Sequence, residues 1–268
     1  MKAMKLRPQL ASHRMNRDEI YRRVSSRKGR GVAVRRSLCF YNPAEVLAGV
    51  TRDRGVTRWL SYIGNHYVPP TKDVLLIYPC SAEKPYHKSR SYKQLYATLS
   101  RLGEDRKRVH VVTVSEPFGL VPEEFYGKKT RWHDWRNDWY DCPGLFQWWC
   151  RKHETHYSQE EAEESIQILA GYVALFLKKV ESKRRYKRII AFVRTRSSGL
   201  KKTRDQTHRR ILEQAASMSG VKVQMMPRPK LVSRIVKESG PYGWDMYGVA
   251  HPKAQDYLYK QLRLILNG

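Results

Sequence analysis

Four short apolar runs punctuate the chain from residue 74 onward, at 74–78, 109–115, 188–193 and 221–226, and stretches with helical spacing separate them. The runs are rich in β-branched residues, too short for buried helices and bounded by turn residues, so each reads as a strand. Helices are expected between them at 92–102, closed by Gly103, and at 204–218, stopped by Gly220; a last one covers 252–266. The longest starts at Ser158-x-x-Glu161, a capping box, and carries Ile166, Leu169, Val173, Phe176, Leu177 and Val180 at helical spacing. That stripe reads as core. Strands alternating with helices favour one architecture: an α/β fold whose mostly parallel sheet is flanked by helices.

This domain is expected over 71–268. Residues 37–70 read as a small helical prelude. There Asn42-Pro43-Ala-Glu45 is a strong helix start, with a cap, a proline in the first turn and a glutamate at the third position. Pro69-Pro70 ends the helical region. Residues 1–36 form a basic, partly flexible arm whose only acids are Asp18 and Glu19. A short helix from Asn16 towards Val24 and a flexible linker at 25–31 are expected within it. The arm suits phosphate neutralisation; a disordered tail or an organelle transit peptide would share its composition.

In a parallel sheet the loops after the strands gather on one rim, where open α/β sheets bind ligands. These loops are 79–91, 116–127, 194–203 and 227–231. The first, following Val74–Tyr78, holds Pro79-Cys80 and then Lys84, Tyr86 and Ser89. Cys80 is the one thiol in a strand-end loop. A nearby lysine and a helix N-terminus both favour its thiolate. Its plain alternative is a small packed hydrophobe.

Lysine and arginine total 52 against 25 acids, a formal charge of +27. A solvated surface does not need a two-to-one excess. A polyanion does, and nucleic acid is the expected partner. No apolar run approaches a membrane span and no signal-peptide pattern opens the chain, so a cytoplasmic protein with no membrane contact is expected. Four scattered cysteines, Cys39, Cys80, Cys142 and Cys150, do not suggest a disulfide framework. Cys142, Cys150, His153 and His156 can be drawn as a zinc site, but the first spacing is unlike paired-ligand patterns, and no metal is expected. Trp132, Trp135, Trp139, Tyr140, Phe146, Trp148 and Trp149 interleave with Lys128, Lys129, Arg131 and Arg136. Such rings either stack on unpaired bases or build a small core inside a long loop.

Pro79-Cys80-x-x-x-Lys84-Pro85-Tyr86-x-x-Ser89 resembles the signature of the archaeosine synthase family of tRNA-modifying enzymes. Tyr67-Val-Pro-Pro, Val109-His110 with Gly119-Leu-Val-Pro-Glu-Glu-Phe125, and Tyr140-Asp141-Cys-Pro143 followed by Trp148 are similar to further family segments in the same order, over roughly 60–195. One departure stands out. Tyr92 occupies the place of the family's histidine, so a proton-transfer role of that histidine is altered or lost.

The resemblance implies an enzyme that adds an amine, lysine in the family, to the nitrile of 7-cyano-7-deazaguanine in tRNA. A radical-SAM partner would then release archaeosine. This chain lacks a C-x-x-x-C-x-x-C cluster motif and would not perform that step. No cofactor is expected; the partners are tRNA and free lysine. No transglycosylase-like region or RNA-binding module of the family is legible in this sequence, and the basic arm is expected to hold tRNA in their stead.

The expected catalytic residues are Cys80 as nucleophile, Lys84 and Asp141. Tyr86, Ser89, Glu123 and Tyr92 are expected at the substrate. Arg22, Arg23, Arg27, Lys28, Arg30, Arg194, Arg196, Lys201 and Lys202 are expected on RNA. Plain alternatives are a packed aromatic for Tyr86, a local cap for Ser89, a turn residue for Asp141 and a helix-terminal carboxylate for Glu123. At the level of the whole protein, the alternatives are a non-catalytic RNA-binding relative and an enzyme acting on 7-deazaguanine in DNA.

Overall fold

The structure, a computed structural model, describes residues 17–28, 34–136, 139–195 and 206–268, without side chains for 23–28. In chain order its main elements are α1 (Arg17–Lys28), β1 (Val34–Cys39), α2 (Pro43–Arg52), α3 (Arg54–Ser61), β2 (Lys72–Pro79), α4 (Arg90–Ser100), β3 (Val109–Ser115), β4 (Gly119–Pro122), β5 (Trp139–Asp141), α5 (Gln147–Lys152), α6 (Gln159–Ser182), β6 (Tyr186–Phe192), α7 (Thr207–Ser219), β7 (Gln224–Met226), α8 (Pro229–Tyr247) and α9 (Pro252–Asn267).

The main sheet has the order β4-β3-β2-β6-β7. All neighbours are parallel except β4, which returns antiparallel along β3. The mostly parallel, helix-flanked α/β fold is therefore as expected. β2 is central, and Val74–Tyr78 are fully buried. Successive side chains of a strand point to opposite faces, so a strand with helices on both sides is apolar without interruption. Tyr78 turns towards α9, where its hydroxyl accepts from Gln255 Nε2 at 3.1 Å. Two groups of helices cover the sheet: α6 packs on α2 and α7, and α9 packs on α4 and α8. The stripe from Ile166 to Val180 on α6 is buried, as its spacing requires.

Three departures from the sequence reading arise from strand pairing: a tight antiparallel return of the chain onto β3 in one case, and pairing between remote segments in the other two. Residues 116–127 are not a plain loop, because Gly119–Pro122 closes the sheet edge as β4. The aromatic-rich segment holds β5 and α5, and β5 pairs parallel with β1 in a second, two-stranded sheet. β1 straddles the boundary between the basic arm and the helical prelude, so the prelude is not wholly helical. Ile20, Val34, Cys39, Tyr41, Trp139, Trp149 and Cys150 form a satellite core there. Two further elements differ from the sequence expectation. Pro229 opens α8, which continues past a break at Gly240, where φ is 71°. The fourth strand is confined to Gln224–Met226.

The prelude is tied to the main domain by polar as well as apolar contacts. α3 runs into a π-turn at Tyr62–His66. Lys179 of α6 donates to the carbonyls of Ile63 and Gly64 at 3.0 and 3.1 Å, and burial lowers its ammonium to about 8. No helix among the described residues is long and apolar enough to cross a membrane.

Gly144 lets the chain after β5 pass closely against the chain after β1. A Cβ there would meet backbone atoms of Asn42, the α2 cap, at 2.6–2.8 Å. Overpacking of this kind costs about 1–3 kcal/mol, so Gly144→Ala should lower the urea midpoint correspondingly. Gly171, inside α6, has nothing within 4 Å of an added Cβ. Gly171→Ala should instead stabilise by roughly 0.5–1 kcal/mol.

Candidate active site

The carboxyl end of β2 delivers Cys80 to the rim. Its amide donates to Val114 O at 2.9 Å, which keeps the residue in register with β3 for one step beyond the strand. The chain then leaves the sheet. Lys84 folds back, and its ammonium donates to Ser81 O at 2.5 Å. Ser89 caps α4 by accepting from Tyr92 N, and Glu83 accepts from Arg90 N at 3.4 Å. The loop is thus fastened to the helix that follows it.

Two other rim elements meet Cys80. Glu116, directly after β3, is 1% exposed. His208 sits in the first turn of α7. Its Nε2 lies 3.4 Å from Cys80 Sγ and 3.0 Å from Glu116 Oε2. One imidazole nitrogen therefore faces a thiol on one side and a carboxyl on the other. Neither Glu116 oxygen has a hydrogen bond of regular geometry, so the ion-pair contact with His208 is its main polar engagement.

The electrostatics follow from this arrangement. Burial alone would drive His208 towards the neutral form, but Glu116 and Cys80 raise its pKa well above the ordinary histidine value. Burial alone would raise the Cys80 thiol. His208 and then Lys84 outweigh it, and the net shift is downward. Cys142 close by goes the other way: burial, then Glu116, Asp141 and Cys80, hold it well above the usual thiol range. A thiolate facing an imidazolium is an activated nucleophile with a proton donor already in contact.

Aromatic hydroxyls floor the site. Lys84 is 4% exposed, and its ammonium lies 4.5 Å from the Tyr140 ring centroid and 5.5 Å from that of Tyr86. The hydroxyls of Tyr86 and Tyr140 are hydrogen-bonded to each other, and Ser115 Oγ meets Tyr140 at 2.5 Å. Tyr92 stacks on Tyr86 with centroids 5.5 Å apart, and its hydroxyl is hydrogen-bonded to Thr113.

The expected site residues divide accordingly. Cys80 and Lys84 come together. Asp141 lies in β5, buried beside Tyr140. Tyr86, Ser89 and Tyr92 are at most 2% exposed and engage partners within the protein. They lie beneath the site rather than at its mouth, so Tyr86 offers no free face for stacking. Glu123 is held elsewhere: it pairs with Arg106 at 2.6 Å and accepts from Val111 N at 3.1 Å, well before the carboxyl end of β3.

Among the expected RNA contacts, Arg22 is exposed on α1. Arg23, Arg27 and Lys28 lie in α1 with undescribed side chains, and Arg30, Arg196, Lys201 and Lys202 lie outside the described residues. Arg194 is not an open cation. It donates to Asp245 Oδ1 at 3.2 Å and to the carbonyls of Trp244 and Asp245 at 3.2 and 2.8 Å, tying the end of β6 to α8.

Glu116 and His208 were missed. Glu116 was legible as the first residue of a rim loop. His208 stood among arginines in a region read for its charge, and no local spacing links it to Cys80.

The donor atoms of Cys80, Glu116 and His208 lie within 4.8 Å of one another, a set that could hold a thiophilic cation. Such an ion would occupy the thiolate. Cys142, Cys150, His153 and His156 form no such set among the described residues. Cys150 Sγ instead contacts the carbonyls of Tyr41 and Gly144 at 3.6 and 3.4 Å, and His153 stacks on Trp149.

The chain is similar to several known proteins. The family model described as "Domain of unknown function (DUF5591)" matches residues 56–224. The archaeosine synthase subunit alpha of Thermoplasma acidophilum is 30% identical over 139 residues, 51% of this chain and 22% of that protein. That of Methanosarcina acetivorans is 38% identical over 92 residues, 34% of this chain and 14% of that protein. The chain thus spans less than a quarter of the length of these relatives. A solved structure, AF0587, a protein of unknown function, aligns over 76% of this chain and 49% of its own with a TM-score of 0.42 and 16% identity.

The thiolate can be titrated directly. Iodoacetamide labelling of Cys80, mapped by mass spectrometry across pH, should rise with a midpoint below the ~8.5 of an ordinary thiol. The thiolate–imidazolium pair then persists upward in pH until His208 loses its proton, at its raised pKa. His208→Ala should move the labelling midpoint upward; an unchanged midpoint would exclude His208 as the main cause of the shift.

Proposed function

The chain belongs to the DUF5591 family and has archaeosine synthases among its relatives, and from that premise we propose that it modifies tRNA on the path to archaeosine by adding an amine to a nitrile. The substrate in this reading is 7-cyano-7-deazaguanine within tRNA, and the amine donor is free lysine. A radical-SAM partner would take the product onward. The observation that carries the reading is the contact of His208 Nε2 with both Cys80 Sγ and Glu116 Oε2, formed at the motif that resembles the family signature.

The chemistry has two steps. Cys80 thiolate attacks the nitrile carbon, a C–S bond forms, and the nitrile nitrogen takes the proton that His208 holds at Nε2. The product is a thioimidate on the enzyme. The neutral amine then attacks the same carbon, the C–S bond breaks, and an amidine is left. A proton from the incoming amine returns to His208, which restores the imidazolium beside the thiolate. Glu116 keeps the imidazole aimed at Sγ and stabilises its charged form. Lys84 adds positive charge beside the thiolate.

Tyr92, where the family signature has histidine, is buried and hydrogen-bonded to Thr113. In this reading it supports Tyr86 from below, and His208 supplies the imidazole.

Nitrile-bearing tRNA incubated with lysine should gain one lysine in mass. Without lysine, a denaturing gel should show tRNA covalently held by the protein, and Cys80→Ala should abolish both signals. His208→Ala should slow adduct formation by about 10²–10⁴-fold, the usual contribution of a positioned acid or base. Absence of any adduct from the native protein would end the functional reading. Adduct formation by Cys80→Ala would end the covalent route alone.

A further inference from the structure

The outer edge of the sheet carries a notch that the site chemistry does not use. β6 begins at Tyr186, but its outer neighbour β7 begins only at Gln224, which pairs with Ile190. Residues 186–189 therefore have no strand on that side. The gap is a groove of about 560 Å³. Lys187, Arg188, Lys222 and Arg228 line it and are all exposed; Glu181 is its one carboxylate. Lys187 is 3.2 Å from Asp73 on the neighbouring strand. Lys222 and Arg228 have no ion-pair partner among the described residues, and folding alone gives no reason to place them together.

The groove lies beside the first half of β6, and one of its lining residues, Arg228, belongs to the carboxyl rim. Arg228 follows β7 at its carboxyl end. The preceding carbonyl, of Pro227, accepts from Thr195 Oγ1 at 2.8 Å, and Thr195 Oγ1 in turn accepts from Arg209 at 2.8 Å. Arg209 is the neighbour of His208. Arg209 also pairs with Glu213 at 2.7 Å, and a hydrogen-bonded link through buried Thr195 joins the end of the groove to the residue that faces Cys80.

The geometry points to this notch as a binding track for the phosphodiester backbone of RNA, carrying the strand that flanks the modified nucleotide to the rim. The inference rests on the tRNA reading above. Several lysines and arginines in line recognise an extended polyanion; a single phosphate would need only one or two of them, and phosphate contacts position a strand without reading its sequence.

The test is a salt series of binding between the full chain and fluorescently labelled tRNA. The variant Lys222→Glu/Arg228→Glu is compared with Lys260→Glu/Arg263→Glu on α9, which changes net charge equally outside the groove. The groove variant should bind at least tenfold more weakly at fixed salt. The Ala pair, Lys222→Ala/Arg228→Ala, should flatten the slope of log K against log salt by about 2, one for each lost phosphate contact. Thermal melts confirm folding. Native affinity and slope in the groove variants, or an equal loss in the α9 variant, would overturn the proposal. Adduct formation at saturating tRNA separates the two readings. Weak binding with a retained maximal rate supports the track. Weak binding by the groove variants alone, when even the native protein makes no adduct, would keep the track and remove the proposed chemistry.

Discussion

Everything distinctive about this molecule converges on the single nitrogen of His208 that lies between Cys80 Sγ and Glu116 Oε2. A half-buried imidazole and a thiol would each oppose charge on their own, because each charged form loses its hydration. Together they sustain one another: Glu116 and Cys80 favour the imidazolium, and the imidazolium favours the thiolate. Such a cluster is stable only if its members cannot drift apart. The fold meets that condition by drawing them from the ends of β2 and β3 and from the first turn of α7.

The floor of the site shows how far this requirement reaches. Tyr86, Tyr92, Tyr140, Thr113 and Ser115 share hydroxyl contacts beneath the loop, and nearly all of their surface is buried. Their polar atoms satisfy each other, so the loop can sit on a dry base without unsatisfied groups. Lys84 lies over two of these rings and adds positive charge beside Cys80. The tyrosines give the nucleophile a rigid seat, a role different from contact with a substrate base.

The parallel sheet, the buried face of α6 and the rim as the place where Cys80 and Lys84 meet were legible because each rests on a local periodicity or on a rule of chain connection. Cys80 and Lys84 were legible because a strand end carries them. β1 and β5 were not, since each forms against a partner far along the chain and has little apolar alternation of its own, and β4 was not, since it is a four-residue return onto β3. Ser89 and Glu123 show the converse: chemically capable side chains whose structural duties, a cap and an ion pair, depend on neighbours. Arg194 looked like a free cation only until Asp245 of α8 was brought to it.

By itself the sequence determined the fold class, the excess of positive charge and the position of the candidate nucleophile, because composition and short-range pattern carry those properties. The tertiary structure alone decided which imidazole serves Cys80 and which cations stay open to a ligand. Residues 80, 116 and 208 share no spacing that could announce them. They meet because β2 and β3 are adjacent parallel strands and α7 follows β6, the strand on the other side of β2. Parallel strands must end at the same rim, and that geometry places a histidine more than a hundred residues away against the thiol.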